Sequence, residues 1–476
     1  MHNHSRKQIS NNLLSNIAYV MLLLLLAWLP IPLGSNRPWA WSMMEVAIFS
    51  LFGLTLLSYS LNYVKQTLAL YWPIVLGLGI FVVFQIIQIV PLPSQLVALI
   101  SSNIYLLKSS YAVADAEQWM ALALDPTQAV ISTIKGISYY LLLLATLLLI
   151  NNFNRLKWLL ICLIAIGTWQ AFYGSLMALS GVEKSFFWQF NNNNAANGSF
   201  VYKNHFANFL MLSLSIGMGY LVAMLNKGKT RLNRAHLTNV LAMFTSGKVT
   251  LRIALAIMVI ALVLSRSRMG NTAFFVALSI SGLMALWLMR DKSKSLLMLL
   301  ISIFFIDVVI LGSYFGIDKV KERIEDTRIE TEIRGDVNEY SVELIKLFPE
   351  TGTGGGSYYS TFEMVKGDDV KSFFDHAHND YMQFTIEYGI PATMWLALLI
   401  IVTLLHAFRA MKHRNSKMLQ GVGFATAMAI IGMLIHMTVD FNLQAPANAA
   451  IFHIILALAW IAHSGLKSKK YIEELA

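Results

Sequence analysis

The chain has 476 residues, of which 57% are apolar and only 13% charged, against about 45 to 50% and about 25% in a soluble globular domain. With a mean hydropathy of +0.59, a single cysteine and a net charge of +10, an ordinary soluble enzyme, a disulfide framework, a CxxC redox site and a thiolate metal cage are all excluded. The basic pI near 9.4 would invite a nucleic-acid reading, but the Lys and Arg residues are scattered through short segments between apolar runs, so no nucleic-acid partner is expected.

A helix needs about 20 apolar residues to cross roughly 30 Å of hydrocarbon. Twelve stretches approach that: 16–33, 41–61, 68–90, 134–150, 157–179, 205–225, 249–264, 270–289, 295–316, 387–408, 418–437 and 447–464. The first follows Arg6 and Lys7 but no A-x-A cleavage site succeeds it, so it reads as a retained span. The fold class expected is therefore an all-α polytopic membrane protein with about 12 transmembrane helices. Lys and Arg stay on the cytoplasmic side, which places both termini inside. The segment 317–385 then faces out, with 15 Asp or Glu against 8 Lys or Arg. It is too long for a structureless loop, and Val320, Ile324, Ile333, Val337, Leu344 and Phe348 recur near helical spacing until Pro349 and the run TGTGGGS stop them. Four sections follow: 1–200 with the first spans and a first outer segment from Pro91, 201–316, the cap segment 317–385, and 386–476.

Chemistry-bearing residues cluster on the outer face. Ser265 to Asn271 reads SRSRMGN after an apolar run, Leu251 to Leu264, of only 14 residues. Arg266 is therefore expected below the surface, where an arginine calls for a partner; the bland alternative is a tight turn with Arg266 and Arg268 on lipid phosphate. Arg334 lies in IETEIRGDVNEY, where charges ordinarily face water. In DHAHNDYMQFTIEYG, Asp375 to Gly389, His376 or His378 could act as a base near neutral pH, with Asp375 or Asp380 to orient the ring. A lone H-x-H lacks the further ligands of a metal site, so no metal is expected. TGTGGGS could offer backbone N–H groups to an anion, although it lacks the Gly-Lys-Ser/Thr of a P-loop, and a hinge or turn is the expectation. His436 and Asp440, four apart, share a helix face and can pair. Glu45, Gln85, Gln88 and Asp307 read as interhelical hydrogen-bonding groups. A secondary transporter would bind at mid-membrane between repeated halves, and no paired halves are seen.

GSFVYKNHFANFL (Gly198 to Leu210), SRSR (Ser265 to Arg268), Arg334 ahead of a Pro and Gly segment, HAHNDYMQFTIEYGIPA (His376 to Ala392) and HMTVDFNLQAPA (His436 to Ala447) occur in an order and spacing that resemble the bacterial O-antigen ligase and polysaccharide polymerase superfamily. The resemblance covers the second half; FPETGTGGG departs from the family's Pro-Leu-x-Gly-x-Gly run. It implies a GT-C-like, metal-independent, inverting glycosyltransferase of the bacterial inner membrane with a periplasmic active site and no cofactor. The implied donor is a glycan on undecaprenyl pyrophosphate, and the acceptor is lipid A-core, a lipid-linked glycan or protein. Carried over by motif, Arg266 and Arg334 hold the pyrophosphate and His378 is the base. Lys203, Asn204, His205, Arg268, His376, Tyr381 and Asp440 are the expected substrate-binding residues. No arginine of the cap segment is followed eleven positions later by glycine, a spacing of some polymerases, so ligase-type transfer is expected ahead of polymerisation or protein glycosylation. The alternative of another class is a flippase or exporter of the lipid-linked sugar.

Overall fold

The computed structural model describes residues 2–111, 118–189, 195–224, 247–289, 301 and 335–466. These form a bundle of helices with a small cap at one end. In chain order the bundle contains α1 (His2–Trp28), α2 (Pro38–Ser58), α3 (Leu61–Leu70) and α4 (Trp72–Ile89). A two-residue hairpin pairs β1 (Leu92–Pro93) antiparallel with β2 (Trp119–Met120), with α5 (Ser94–Ile100) and α6 (Ser102–Tyr111) between them. Then come α7 (Pro126–Leu149), α8 (Phe153–Leu179), α9 (Lys203–Ala223), α10 (Gly247–Leu264) and α11 (Arg268–Leu288). The chain continues with α12 (335–347), the single turn α13 (Tyr358–Thr361), α14 (Asp380–His413), α15 (Lys417–His436) and α16 (Pro446–Ser464).

Ten of these helices are long and apolar enough to cross a membrane by length and composition, and the apolar part of α1, Leu13–Trp28, is shorter. They match eleven of the twelve expected stretches; the other, 295–316, lies outside the described residues except for residue 301. Exposed Leu57, Trp72, Leu179, Leu283 and Trp287 present apolar surface outward, as a lipid-facing rim requires. The protein is an all-α multi-pass membrane protein.

Three helix starts bear on the site, and local capping explains two of them. The fourth span begins at Pro126 rather than 134 because the Asp125 side chain accepts from Gln128 N at 3.1 Å, with Pro126 at the first helical position. The tenth begins at Asp380 rather than 387, capped by Asn379, and its helix breaks at Gly389 (φ 79°). The third, α10, has 18 residues rather than 14, about 27 Å at the helical rise, so the expectation that a short span pulls Arg266 below the surface loses its basis.

At the centre, α9 and α15 cross almost fully buried, Gly219 and Gly421 each meeting the other's backbone carbonyl where any Cβ would collide. Small residues permit this approach, and dispersion between close backbones replaces the hydrophobic effect inside a bilayer. α14 packs on α4 at Gly77, whose carbonyl accepts from Trp395 Nε1 at 2.8 Å.

The cap unites both extramembrane segments around one core, with Val97, Ile104, Met120 and Leu122 from the first and Val337, Leu344, Phe348, Tyr358 and Phe362 from the second. The helical periodicity expected before Pro349 is present from 335 to 347; Val320, Ile324 and Ile333 lie outside the described residues. The glycine-rich run is a buried strap laid along the first turns of α14. Thr353 N donates to Ile386 O at 2.8 Å, Gly354 N to Glu387 O at 2.9 Å, and Ile390 N to Pro349 O at 2.8 Å. Gln88, from α4, donates to Thr351 O at 2.8 Å and Glu387 O at 2.9 Å, and Gln85 to the Tyr388 hydroxyl at 3.1 Å. Both glutamines are the interhelical hydrogen-bonding groups expected.

Glu45 differs: its Oε1 is buried with no hydrogen-bond partner among the described residues, and the Lys135 ammonium across from it sits 3.7 Å over the Trp41 ring. Asp307 lies outside the described residues.

Gly352 (φ +67°) has no room for a Cβ against the Glu387 and Tyr388 backbone. Gly352→Ala should destabilise the protein by about 1 to 3 kcal/mol. Thermal unfolding in detergent reads this as a lowered Tm, and an unchanged Tm would contradict the tight strap.

Candidate functional site

Three separate motifs meet at one phenyl ring. Phe441 lies in the turn between α15 and α16 and is 8% exposed. His376 stacks on it with ring centroids 4.4 Å apart and planes 22° from parallel. His378 and His205 meet it edge-on at 4.7 Å and 4.8 Å, and Tyr202 stacks at 5.6 Å. Phe374 and Tyr202 complete the wall around His378 at 6.2 Å and 6.5 Å. Of the expected site residues, His205, His376 and His378 are thus brought together.

His378 has a left-handed backbone (φ 50°), as does Arg266 (φ 54°). Such conformations cost a non-glycine residue about 1 to 3 kcal/mol and persist only where the surroundings impose them. Around His378 the surroundings are the cap: Ala377 is 1% exposed in the cap core, and its N–H donates to Gln383 Oε1 at 3.3 Å. Asn379 then caps α14 by accepting from Met382 N at 3.2 Å. The turn is anchored on both sides of His378.

The SRSR turn divides its labour by residue type. Ser265 Oγ donates to Leu262 O at 2.6 Å and accepts from Ser267 N at 3.2 Å. Ser267 Oγ accepts from Gly270 N at 3.3 Å and so caps α11. Asn271 Nδ2 ties the turn to Leu262 O and Ser267 O. Both serines are buried, while Arg266 is half-buried and Arg268 exposed. The serines build the turn, and the arginines project from the start of a helix, where the macrodipole favours anions.

One turn into α11, Gly270 packs against Ala207 of α9 and lies near His436 Cε1 of α15. His436 Nε2 is 3.8 Å from Asp440 Oδ2, both side chains essentially buried, which is the expected pair finishing a helix. Asp440 O and Met437 O both accept from Asp380 N at 3.1 Å, two residues beyond His378. Asn448 Nδ2 donates to His205 O at 3.0 Å. Packing thus links the arginine turn to the His436 end of α15, and backbone bonds link that end to the turn that carries His378.

Of the remaining expected residues, Asn204 Nδ2 donates to the Tyr202 hydroxyl at 2.8 Å. Lys203 is exposed at the start of α9. The Tyr381 hydroxyl is engaged by Leu434 O at 2.8 Å. Arg334 lies outside the described residues. Among the described residues no three His, Cys, Asp or Glu side chains group as a metal site.

Sequence reasoning missed Phe441, Gln383 and Glu387. Gln383 Nε2 is 3.0 Å from His376 Nδ1 and donates to Glu387 Oε1 at 3.0 Å. The backbone amides of Gly356 and Tyr358 stand beside the Glu387 carboxyl group. The anion cradle suspected in the glycine-rich run is thus filled from within the chain. Burial holds the His376 pKa below its ordinary value, although Asp375 pushes the other way. The i, i+4 spacing of Gln383 and Glu387 was the available signal for this network.

A family profile described as O-antigen ligase matches residues 253–397, from α10 into α14. No curated protein matches the chain.

Phe441→Leu keeps an apolar filler but removes the stacking plane, so His376 and His378 should react faster with diethyl pyrocarbonate, followed by mass spectrometry. Unchanged rates would deny the ring its role in fixing them.

Proposed function

We propose that this chain, a member of the O-antigen ligase superfamily, is a metal-independent, inverting glycosyltransferase of the ligase type. Its family assigns it a ligase- or polymerase-type role in polysaccharide biosynthesis, acting on lipid-linked glycans in a membrane. In the proposed reaction the donor is a glycan on undecaprenyl pyrophosphate, the acceptor is a hydroxyl of lipid A-core or another surface glycoconjugate, and the site faces the periplasm. The observation that carries the reading is the convergence of His205, His376 and His378 on Phe441, with the helix that follows the Arg266 turn packed through Gly270 near His436.

The acceptor O–H approaches the anomeric carbon opposite the pyrophosphate. As the new C–O bond forms, the bond to the pyrophosphate oxygen breaks and its electron pair leaves with the lipid pyrophosphate. The acceptor proton passes to His378, and attack from the opposite face inverts the anomeric centre. Charge accumulates on the leaving oxygens, where guanidinium forks bind bidentately and stay protonated. The half-buried place of Arg266 ahead of a helix N-terminus supports this role for it, and its motif supports Arg334 as the second fork. Losing one preorganised donor of this kind costs about 10² to 10³ in rate, and losing a general base about 10² to 10⁴.

Purified protein in nanodiscs, supplied with lipid-pyrophosphate glycan and acceptor, tests the reading. Glycoconjugate should form equally with Mg²⁺ and with chelator. His378→Ala should lower the rate by about 10² to 10⁴, and Arg266→Lys should lower it more than charge retention alone predicts, since an ammonium cannot form the fork. Full transfer by His378→Ala, or lipid translocation without any product, would remove the proposal.

A further inference from the structure

Two histidines stand two residues apart at the same ring, and the hydrogen bonds around them separate their roles. The discriminating residue is Gln383, on the first turn of α14. Its orientation is fixed by two partners of opposite kind. Glu387 Oε1, a carboxylate oxygen that only accepts, lies 3.0 Å from Nε2. The Ala377 backbone N–H, which only donates, lies 3.3 Å from Oε1. The amide nitrogen carries a second hydrogen, and His376 Nδ1 is 3.0 Å away. Oε1 is also near this ring nitrogen, at 3.2 Å, and keeps a lone pair beyond the one that serves Ala377, but an Nδ1–H directed there would leave the second amide hydrogen facing a donor, whereas the Nδ1 lone pair gives that hydrogen its acceptor. A ring nitrogen that accepts leaves the imidazole proton on the other.

Glu387 is itself immobilised. Its carbonyl is tied by Gly354 N at 2.9 Å and Gln88 Nε2 at 2.9 Å, and the Gly356 and Tyr358 backbone amides stand beside its carboxyl group. Lys135 from α7, Tyr358 from the cap, and Asp380 and Tyr388 of α14 are the titratable groups facing it. Those facing His376 are Asp375, Lys135 and His205. Phe441, stacked at 4.4 Å, holds the ring plane.

We propose that Glu387, acting through Gln383, is a positioning residue that holds His376 as a neutral imidazole with its proton on Nε2. His376 then donates a hydrogen bond to the substrate from that nitrogen, and proton acceptance falls to His378. This rests on the glycosyl-transfer reading above and divides the two imidazoles within it.

A double-mutant cycle tests the proposal in the nanodisc transfer assay. His376→Gln supplies an amide N–H in place of Nε2–H but cannot serve as a base, so it should keep transfer within about tenfold of wild type, far from the loss of a general base. Gln383→Leu should cost about 10- to 100-fold in the wild-type background, but at most about threefold in the His376→Gln background, where no tautomer needs fixing. A merely structural role of Gln383, through Ala377, would cost the same in both backgrounds. Such equality, or inactive His376→Gln, overturns the proposal. Full activity of His378→Ala would instead remove the parent reading.

A readout independent of turnover guards against misfolded variants. ¹⁵N NMR of histidine-labelled wild-type protein, with His376 assigned by its loss in His376→Gln, should show the Nε2–H tautomer. An Nδ1–H tautomer overturns the proposal.

Discussion

A carboxylate buried where a membrane bundle meets its cap must receive its solvation from the protein, and Glu387 receives it from backbone. At 1% exposure it accepts from Gln383 at 3.0 Å and has the Gly356 and Tyr358 backbone amides beside it, fixed dipoles in the place of water. The strap of glycines follows from that requirement. Peptide groups can approach α14 this closely only where no Cβ intervenes, at Gly352 and Gly355 in particular. Because Gln383 is held to Glu387, and His376 and Ala377 to Gln383, the solvation of one carboxylate sets the shape of the histidine turn.

That frame also accounts for the strain. His378 and Arg266 both adopt left-handed backbone conformations, and each lies between anchored neighbours. For His378 these are Ala377 in the cap core and Asn379 at the helix cap; for Arg266 they are the paired serines. In both places a small or capping residue carries the structural bond, and the long polar side chain between is turned out of the regular direction a helix would impose. The pattern S-R-S-R and the pattern A-H-N are two versions of this local solution.

The spans were legible because twenty apolar residues in a row have few other uses in a chain, and their cap-side ends were not, because the first turns of α7 and α14 are polar and reveal themselves only through Asp125 and Asn379 as caps. His205, His376 and His378 were legible as chemistry-bearing types in polar surroundings. Phe441 was not: with 27 phenylalanines in the chain, one more beside an apolar run carries no distinguishing mark, and only coordinates reveal three imidazoles around it. Gln383 and Glu387 read as the polar face of a helix. Their inward direction depends on the break at Gly389, which periodicity places only to within a turn.

Residues 1–197 carry none of the motifs that resemble the family, yet they support the same turn. Gln88 holds the Glu387 and Thr351 carbonyls, Leu124 N donates to Thr353 O at 2.8 Å, and Ser132 and Gln85 meet the Tyr388 hydroxyl. Most of these bonds are made to or from backbone. A backbone group accepts any partner of the right polarity at the right distance, so such support constrains geometry and leaves residue identity nearly open. The second half differs because the guanidinium and imidazole groups proposed for the chemistry have no substitutes of equal kind. A motif is the trace of side-chain chemistry, and a scaffold that works through peptide groups leaves none. The coupling between the halves therefore lies in the fold, at the strap where α4 and α7 grip the start of α14.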